Sequence, residues 1–339
     1  MKVELFSVIA SSALALTSWG GGDVHDDALL WLRGDSDANG NGFIDSGEAV
    51  DARNGSSEGI ELRGWLADVS GGTAQPAGDF VWTNDAVVVP FTGRSVPGAK
   101  NYFFRQSERT SDGAFWPNGI RLPDMSKRIS SDDWAFHLRF KWDGRPIHAK
   151  APHQCLLSAG LVDEGSGEMR GFALRIQQAG KFVCQIGKTT FMSETKNVTQ
   201  IASNLWTDIV FSFSSQGSID VYVQQEGVDL VRKSVSCANT NYRPDADSTF
   251  LIGNRHTRDG WAIPNSVYVQ EAFRGQVNQF AIWNRSLTED DVLRVLSWPN
   301  EDLVRAGLVD GSSHEFGQGG GGGSLSMLIA AGVPLAGIS

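Results

Sequence analysis

The residues with the most definite chemistry lie near the start of the chain, in the run Asp37-Ala-Asn39-Gly-Asn41-Gly42-Phe43-Ile44-Asp45-Ser-Gly-Glu48. Calcium takes several oxygen ligands from a twelve-residue loop, at positions 1, 3, 5, 7, 9 and 12, with glycine at position 6 for the sharp turn. Asp37, Asn39 and Asn41 supply side-chain oxygens at the first three of these positions, and Gly42 stands at the sixth. Phe43 would give its backbone carbonyl, Asp45 would act directly or through water, and Glu48 would close the site with two oxygens. Ile44 at position 8 would anchor the loop in apolar surroundings. The register starting from Asp35 fails, because it puts Ser46 where the bidentate carboxylate is needed. The alternative is an Asn/Gly-rich surface turn with accidental spacing. Three carboxylates and the correctly placed glycine favour calcium as cofactor, and so few charges predict an affinity in the weaker, extracellular range.

The flanks differ from those of a switch. The segment before the loop, DALLWLRG, is short and strand-like, and the segment after it, DARNGSSEG, is turn-rich without an apolar period. The run therefore resembles an EF-hand loop without its helices, similar to dockerin-like and other extracellular calcium modules in which the ion pins a turn.

For catalysis, convergent groups would have to lie within hydrogen-bond reach of one another. No GxSxG, no HExxH and no Glu-x-Asp-x-x-Glu strand is present in the sequence, so no catalytic residues are assigned and a non-catalytic protein is expected. The six histidines are scattered, and His137 and His256 read as surface or edge residues. Cys155, Cys184 and Cys237 permit one disulfide with one thiol left over; their spacing suggests neither zinc nor a redox pair, and at least two read as small buried hydrophobes.

The elements that position these residues are strands. In Trp134-Ala-Phe136-His-Leu138-Arg-Phe140 every second residue is large and apolar while His137, Arg139 and Lys141 face away, which predicts one buried and one wet face. Phe172, Leu174 and Ile176 repeat the pattern, as do Ile219, Val221 and Val223, with Gly180 and Gly217 at turns between strands. Phe280 and Ile282 share one face of a strand and Val277, Ala281 and Trp283 the other, as expected where both sides are covered. Thr288 then caps a short helix with Glu289, Asp290 and Asp291 in its first turn and Val292, Val295 and Leu296 inward; Trp298 and Pro299 end it. Ala86 to Pro90 and Tyr102 to Phe104 are further strand candidates, and Gly113 to Met125 reads as a loop packed by its own aromatics. The expected fold class is all-β, a two-sheet antiparallel jelly-roll sandwich with one short C-terminal helix.

The segments FRGQVNQFAIWNRSLTEDDVLRVL (273–296), WAFHLRFKWDG (134–144), GFALRIQQAGKFVCQIG (171–187), WTDIVFSFSSQGSIDVY (206–222) and FLIG (250–253) together resemble a laminin-G-like (concanavalin A-like) jelly-roll domain over residues 80–298. That resemblance implies a ligand-binding or adhesion module whose recognition surface is built by loops at one end of the sandwich, with a glycan or an extracellular protein as partner. The candidate loop is Asn254 to Asn265, where His256, Arg258, Asp259 and Trp261 offer an aromatic face for a sugar ring and charged groups for its hydroxyls. The competing reading is a surface loop whose tryptophan folds back on the sheet. Two other functions stay open: a divergent concanavalin-like glycoside hydrolase or lyase, which needs two carboxylates roughly 5 to 10 Å apart, and a purely structural surface protein.

Composition bounds the partners. With 29 basic and 39 acidic residues, a net charge of −10 and a pI near 5.1, the chain is a poor match for a phosphate backbone, so nucleic acid is not expected. Residues 1–20 carry one Lys, an apolar run and small residues, which fits a secretory signal and a secreted or cell-surface location. The expected organisation continues with an N-terminal strand and calcium loop over 23–60, the jelly roll over 61–298, and a Gly-rich flexible tail over 299–339. The apolar run near the C-terminus is too short and too rich in Gly and Pro for a transmembrane helix. Sequons stand at Asn197 and Asn284.

Overall fold

The computed structural model describes residues 24–34, 48–64, 81–83, 86–96, 101–104, 106–107, 116–144, 153–159, 171–177, 179–186, 189–191, 200–236, 243–244, 249–253 and 273–298. Its first strands are β1 (Leu30–Arg33), β2 (Glu61–Gly64), β3 (Val81–Thr83), β4 (Val87–Val89), β5 (Arg94–Val96), β6 (Asn101–Phe104), β7 (Gln106–Ser107) and β8 (Trp116–Leu122), followed by the single turn α1 (Met125–Arg128). Then come β9 (Trp134–Trp142), β10 (His153–Ala159), β11 (Phe172–Gln177), β12 (Phe182–Ile186) and β13 (Thr189–Phe191). The rest are β14 (Trp206–Ser214), β15 (Ser218–Gln225), β16 (Val231–Ser236), β17 (Phe250–Ile252), β18 (Gly275–Trp283) and the helix α2 (Glu289–Ser297).

The strands form two antiparallel sheets packed face to face. Sheet A runs β16-β15-β14-β9-β18-β6-β3 with β1 also on β18, and sheet B runs β13-β12-β11-β10-β17-β8-β2 with β7 on β8. The expected all-β jelly-roll sandwich with its short C-terminal helix is the fold. Between the sheets lies one apolar core, which takes Phe136, Leu138, Phe140, Phe211 and Phe213 from sheet A and Leu157, Phe172, Leu174, Phe250 and Ile252 from sheet B. These are the period-two residues of each strand, brought to one side by the pleat. The rings interlock: Trp134 stacks on Phe213 at 4.3 Å and Phe136 on Phe211 at 5.1 Å between centroids.

The outer face of sheet A is covered as well. Ala135, Val210, Tyr222, Ala281 and Trp283 pack there against Val292, Val295 and Leu296 of α2 and against Val24, Ala28, Trp31 and Trp298. Further along the same face, the hairpin β4–β5 lays Val87, Val89 and Val96 on Trp206. The expectation of one wet face on β9 is therefore wrong: His137 and Arg139 are fully buried, because a helix and the N-terminal segment lie over them.

Two further expectations change. Residues 116–122, read as part of an aromatic-packed loop, form β8 in sheet B between β17 and β2, with Ile120 and Leu122 in the core. Pro117 lacks an N–H for a central ladder, and β8 carries it toward the short strand β7, opposite Gln106, rather than into the centre of the sheet. On β18, Val277 shares the inner core with Phe280 and Ile282. The register on β9 shifts between Val277 and Gln279, and this bulge at Asn278 inverts the alternation upstream of it.

The helix α2 forms as its sequence predicts. Thr288 Oγ1 accepts from the Asp291 backbone N–H at 3.2 Å, and the Asp291 carboxylate accepts from the Thr288 N–H at 3.0 Å, a reciprocal capping box. The Asp291 carboxylate also holds Arg285 at 2.8 Å. Despite partial burial, these bonds keep its pKa below the usual aspartate value.

Candidate functional site

Asp37, Asn39, Asn41, Phe43 and Asp45 lie outside the described residues, and so do His256, Arg258, Asp259 and Trp261. Of the predicted site residues only Glu48 is described; it is half-buried at the start of a turn. The described strands do fix the stems from which both loops leave the sandwich.

The stem of the calcium-type loop is held on both sides. β1 pairs with β18 from Leu30 opposite Ile282 to Arg33 opposite Gln279, and the Gly34 N–H donates to the Asn278 carbonyl at 2.8 Å. On the return side, Asp51 bridges to Leu32, and the Ala52 N–H donates to the Trp31 carbonyl at 2.7 Å. Asp51 is buried, and its carboxylate accepts from the Trp31 N–H at 3.2 Å and from the Arg53 guanidinium. Arg53 in turn donates to the Ala28 and Leu29 carbonyls. A short polar clamp thus brings the two ends of residues 35–47 together without any helix on either side, as the loop's flanks predict.

The second stem closes in the same way. The Gly253 N–H at the end of β17 donates to the Leu156 carbonyl, and the Phe273 N–H donates back to the Gly253 carbonyl, both at 2.8 Å. Because β1 runs antiparallel to β18, Gly34 lies at the N-terminal half of β18, the same half that Phe273 leads into. Asn278 is five positions on from Phe273, at most about 16 Å of extended chain. Two segments selected for different chemistry, one for calcium and one for a sugar ring, therefore leave the sandwich at one end. Arg274 and Asp143 form an ion pair at that end, 2.5 Å apart.

A further polar cluster escaped the sequence reading. On the outer face of sheet A the Asp208 carboxylate accepts from Arg139 Nε at 2.8 Å and from Arg139 Nη2 at 3.1 Å, and it meets His137 Nε2 at 2.8 Å. All three side chains are 0 % exposed. Arg139 also donates to the C-terminal end of α2, from Nη1 to the Trp298 carbonyl at 2.8 Å and from Nη2 to the Leu296 carbonyl at 3.2 Å. Burial pushes the His137 pKa down, partly offset by its bond to Asp208, so the ring is neutral at pH 7. A His–Asp pair does acid–base chemistry only where it reaches a substrate; this one is sealed beneath α2. The signal that would have exposed it is apolar residues at outward positions of the neighbouring strands, namely Val210 on β14 and Trp283 on β18, which mark the face as covered.

Other expectations resolve plainly. Cys155 and Cys184 are buried, and Cys237 lies outside the described residues. At the Asn284 sequon the side-chain oxygen accepts from the Ser130 and Ser131 N–H groups at 2.9 and 3.0 Å, while its nitrogen donates to Ser130 Oγ, so the amide is already engaged. Among the described residues no helix is long and apolar enough to cross a membrane.

A sequence model of the concanavalin A-like lectin/glucanases superfamily, of laminin-G type, matches residues 116–293, more than half of the 339-residue chain. The chain belongs to this superfamily. The concanavalin-type match starts at β8 and ends within α2, so it includes the His137–Asp208–Arg139 cluster and the 254–272 segment but not the calcium-type loop. No curated protein matches the sequence. Among solved structures, the chain is similar to the receptor-binding domain of botulinum neurotoxin mosaic serotype C/D, with 11% identity over 82% of this chain and 52% of that one, at a TM-score of 0.44. Binding domains of botulinum neurotoxin DC in complex with SialylT and with rat synaptotagmin II give the same identity, the same coverage of this chain and the same TM-score, over 53% and 54% of their own lengths. The chain spans about half the length of these structures, and at such similarity a shared ligand does not follow.

Proposed function

We propose that this concanavalin-type sandwich is a secreted or cell-surface, non-catalytic binding module that recognises carbohydrate at the end where the two loop stems converge. In this reading calcium sits in the loop from Asp37 to Glu48, with Asp37, Asn39, Asn41, Phe43, Asp45 and Glu48 as ligands, and pins that loop beside the His256–Trp261 segment. The ligand is a glycan or a glycan-bearing extracellular protein. The observation that carries the proposal is the convergence of the two stems on the N-terminal half of β18, each closed by backbone hydrogen bonds. Binding is favoured over hydrolysis because the His–Asp pair among the described residues is sealed under α2 and cannot meet a substrate.

The metal is tested first. Binding to the folded state alone raises stability, and a Kd of about 10⁻⁴ to 10⁻³ M predicts a rise of about 1 to 5 °C in Tm at millimolar calcium. Asp37→Ala and Glu48→Ala should each abolish the rise. A parent chain whose Tm does not differ between calcium and chelator would remove the metal from this proposal. Glycan arrays probed in calcium then test the ligand, with Trp261→Ala expected to lose the bound glycans while keeping the parent Tm. Release of reducing ends from a bound polysaccharide would instead move the chain to the glucanase side of its superfamily.

A further inference from the structure

We propose that His137, Asp208 and Arg139 form an acid-released latch, which holds α2, Trp298 and the N-terminal segment on the outer face of sheet A at neutral pH and lets them go when His137 takes a proton. The arrangement has one negative and one positive charge at neutral pH, with each nitrogen of the Arg139 guanidinium donating to Asp208 or to the last carbonyls of α2. With neutral His137 donating through Nε2 to Asp208, the other ring nitrogen, Nδ1, is buried and has no hydrogen-bond partner among the described residues. A proton can enter only at Nδ1. It would then bury a second positive charge against a single carboxylate and add a donor with no acceptor, and each of these is costly.

Among the described residues, no other group facing His137 offsets that charge. Arg139 lies on its own strand and Asp208 opposite on β14; Val210 and Ala281 are its register partners on β14 and β18. Tyr222 lies beyond Val210 on β15, where burial raises its pKa and keeps it neutral. The N-terminal turn contributes His25, whose ring stacks on Trp31 at 4.1 Å and whose charge would add to the repulsion. From α2 the buried residues are Val292, Val295, Leu296 and Ser297, none of them charged.

The part of the covering layer made by α2, Trp298, Val24 and Ala28 can leave without opening the core, while Trp31 stays on β1, whose Leu30 and Leu32 belong to the inner core. The apolar cluster between the sheets contains none of Val24, Ala28, Trp31, Val292, Val295, Leu296 or Trp298, all of which belong to the outer cluster. Release would also loosen the stem of the 35–47 loop, because Trp31 is packed in the outer layer while its backbone is tied to Asp51.

The sign follows from linkage. Burial depresses the closed-state pKa of His137 below its ordinary 6.5, whereas the opened layer restores the ordinary value. The latch is therefore at full strength above pH 6.5 and weakens as pH falls toward the depressed value, by up to about tenfold in the opening equilibrium per pH unit. Amide exchange of the full chain, corrected for intrinsic rates, should show α2 losing protection relative to β14 below pH 6.5. His137→Gln keeps a donor for Asp208 without a titration, and its α2 protection ratio should be flat over the same range. The wild-type imidazole resonances supply a second readout that needs no variant, since His137 should titrate together with the α2 amide signals. An α2-to-β14 ratio independent of pH in the wild type, an unchanged slope in His137→Gln, a slope abolished by His25→Gln instead, or His137 titrating while the α2 signals stay put would each overturn the latch.

Discussion

Over the central strands β9, β14 and β18, both faces of sheet A are dry and are sealed by different means. On the inner face, Trp134, Phe136, Leu138 and Phe140 meet the rings of sheet B and β14, and complementary shape is the whole of the interaction. On the outer face the same strand presents Ala135, His137 and Arg139, and burial is tolerated because the charged groups satisfy one another and the end of α2. The difference teaches that a period of two sorts residues onto faces but does not say which face is wet. That depends on what the chain folds over it, here a helix more than 140 residues downstream of β9.

The largest effects come from breaking either face at its centre. Phe136→Ala leaves a cavity among stacked rings, and Arg139→Leu strands the Asp208 carboxylate in the interior; each should cost about 3–5 kcal/mol in urea unfolding. The two losses should differ in how they can be repaired. Adding Asp208→Leu to Arg139→Leu removes the uncompensated charge, so a double-mutant cycle should give a coupling of about 2 kcal/mol or more, with the α2 carbonyls accounting for what is not recovered. Simple additivity of the two substitutions would break the comparison, since the outer face would then behave as ordinary packing.

Much of the sandwich was legible, because inward alternation in 134–140, 172–176 and 219–223 is a direct consequence of the pleat, and the capping residues of α2 act locally. Three features were not. Arg139 and His137 look solvent-facing because nothing within β9 signals a lid from another part of the chain. Val277 was placed on the wrong face because a bulge at Asn278 is a property of pairing with β9, not of the strand alone. β8 was missed because Trp116, Pro117 and Pro123 read as loop chemistry, while the pairing of Ile120 and Leu122 with β17 decides the matter. At the candidate site the ligand set of the calcium-type loop is readable from spacing alone. That its stem lies at the same end as the 254–272 stem could not be read, since it follows from the order of strands around β18.

A smaller effect sharpens the idea that α2 is a separate layer. Its C-terminal end is held by Arg139, but its N-terminal end depends on the Thr288 capping box. Thr288→Ala should cost about 1 kcal/mol, read as faster amide exchange in α2 with β9 and β14 unchanged. Equal loss of protection in those strands would show that the helix and the sheet open as one unit, leaving no distinct outer layer for the comparison.

The smallest effect is the most discriminating, because it repeats the chemistry of Arg139 and Asp208 in water. Arg232 on β16 donates to Glu289 of α2 at 2.6 Å, with the side chains 47% and 59% exposed. Like the buried pair it ties sheet A to the helix, and its guanidinium also lies over the Tyr222 ring at 5.5 Å. Water already solvates both charges, so Arg232→Ala should cost no more than about 1 kcal/mol, and the ionic part should vanish near 1 M salt, where screening acts within about 3 Å. Arg139→Leu should be insensitive to the same salt. If Arg232→Ala proved as costly as Arg139→Leu, bridging from sheet to helix would be what matters and not burial, and the two faces of sheet A would differ less than their residues suggest.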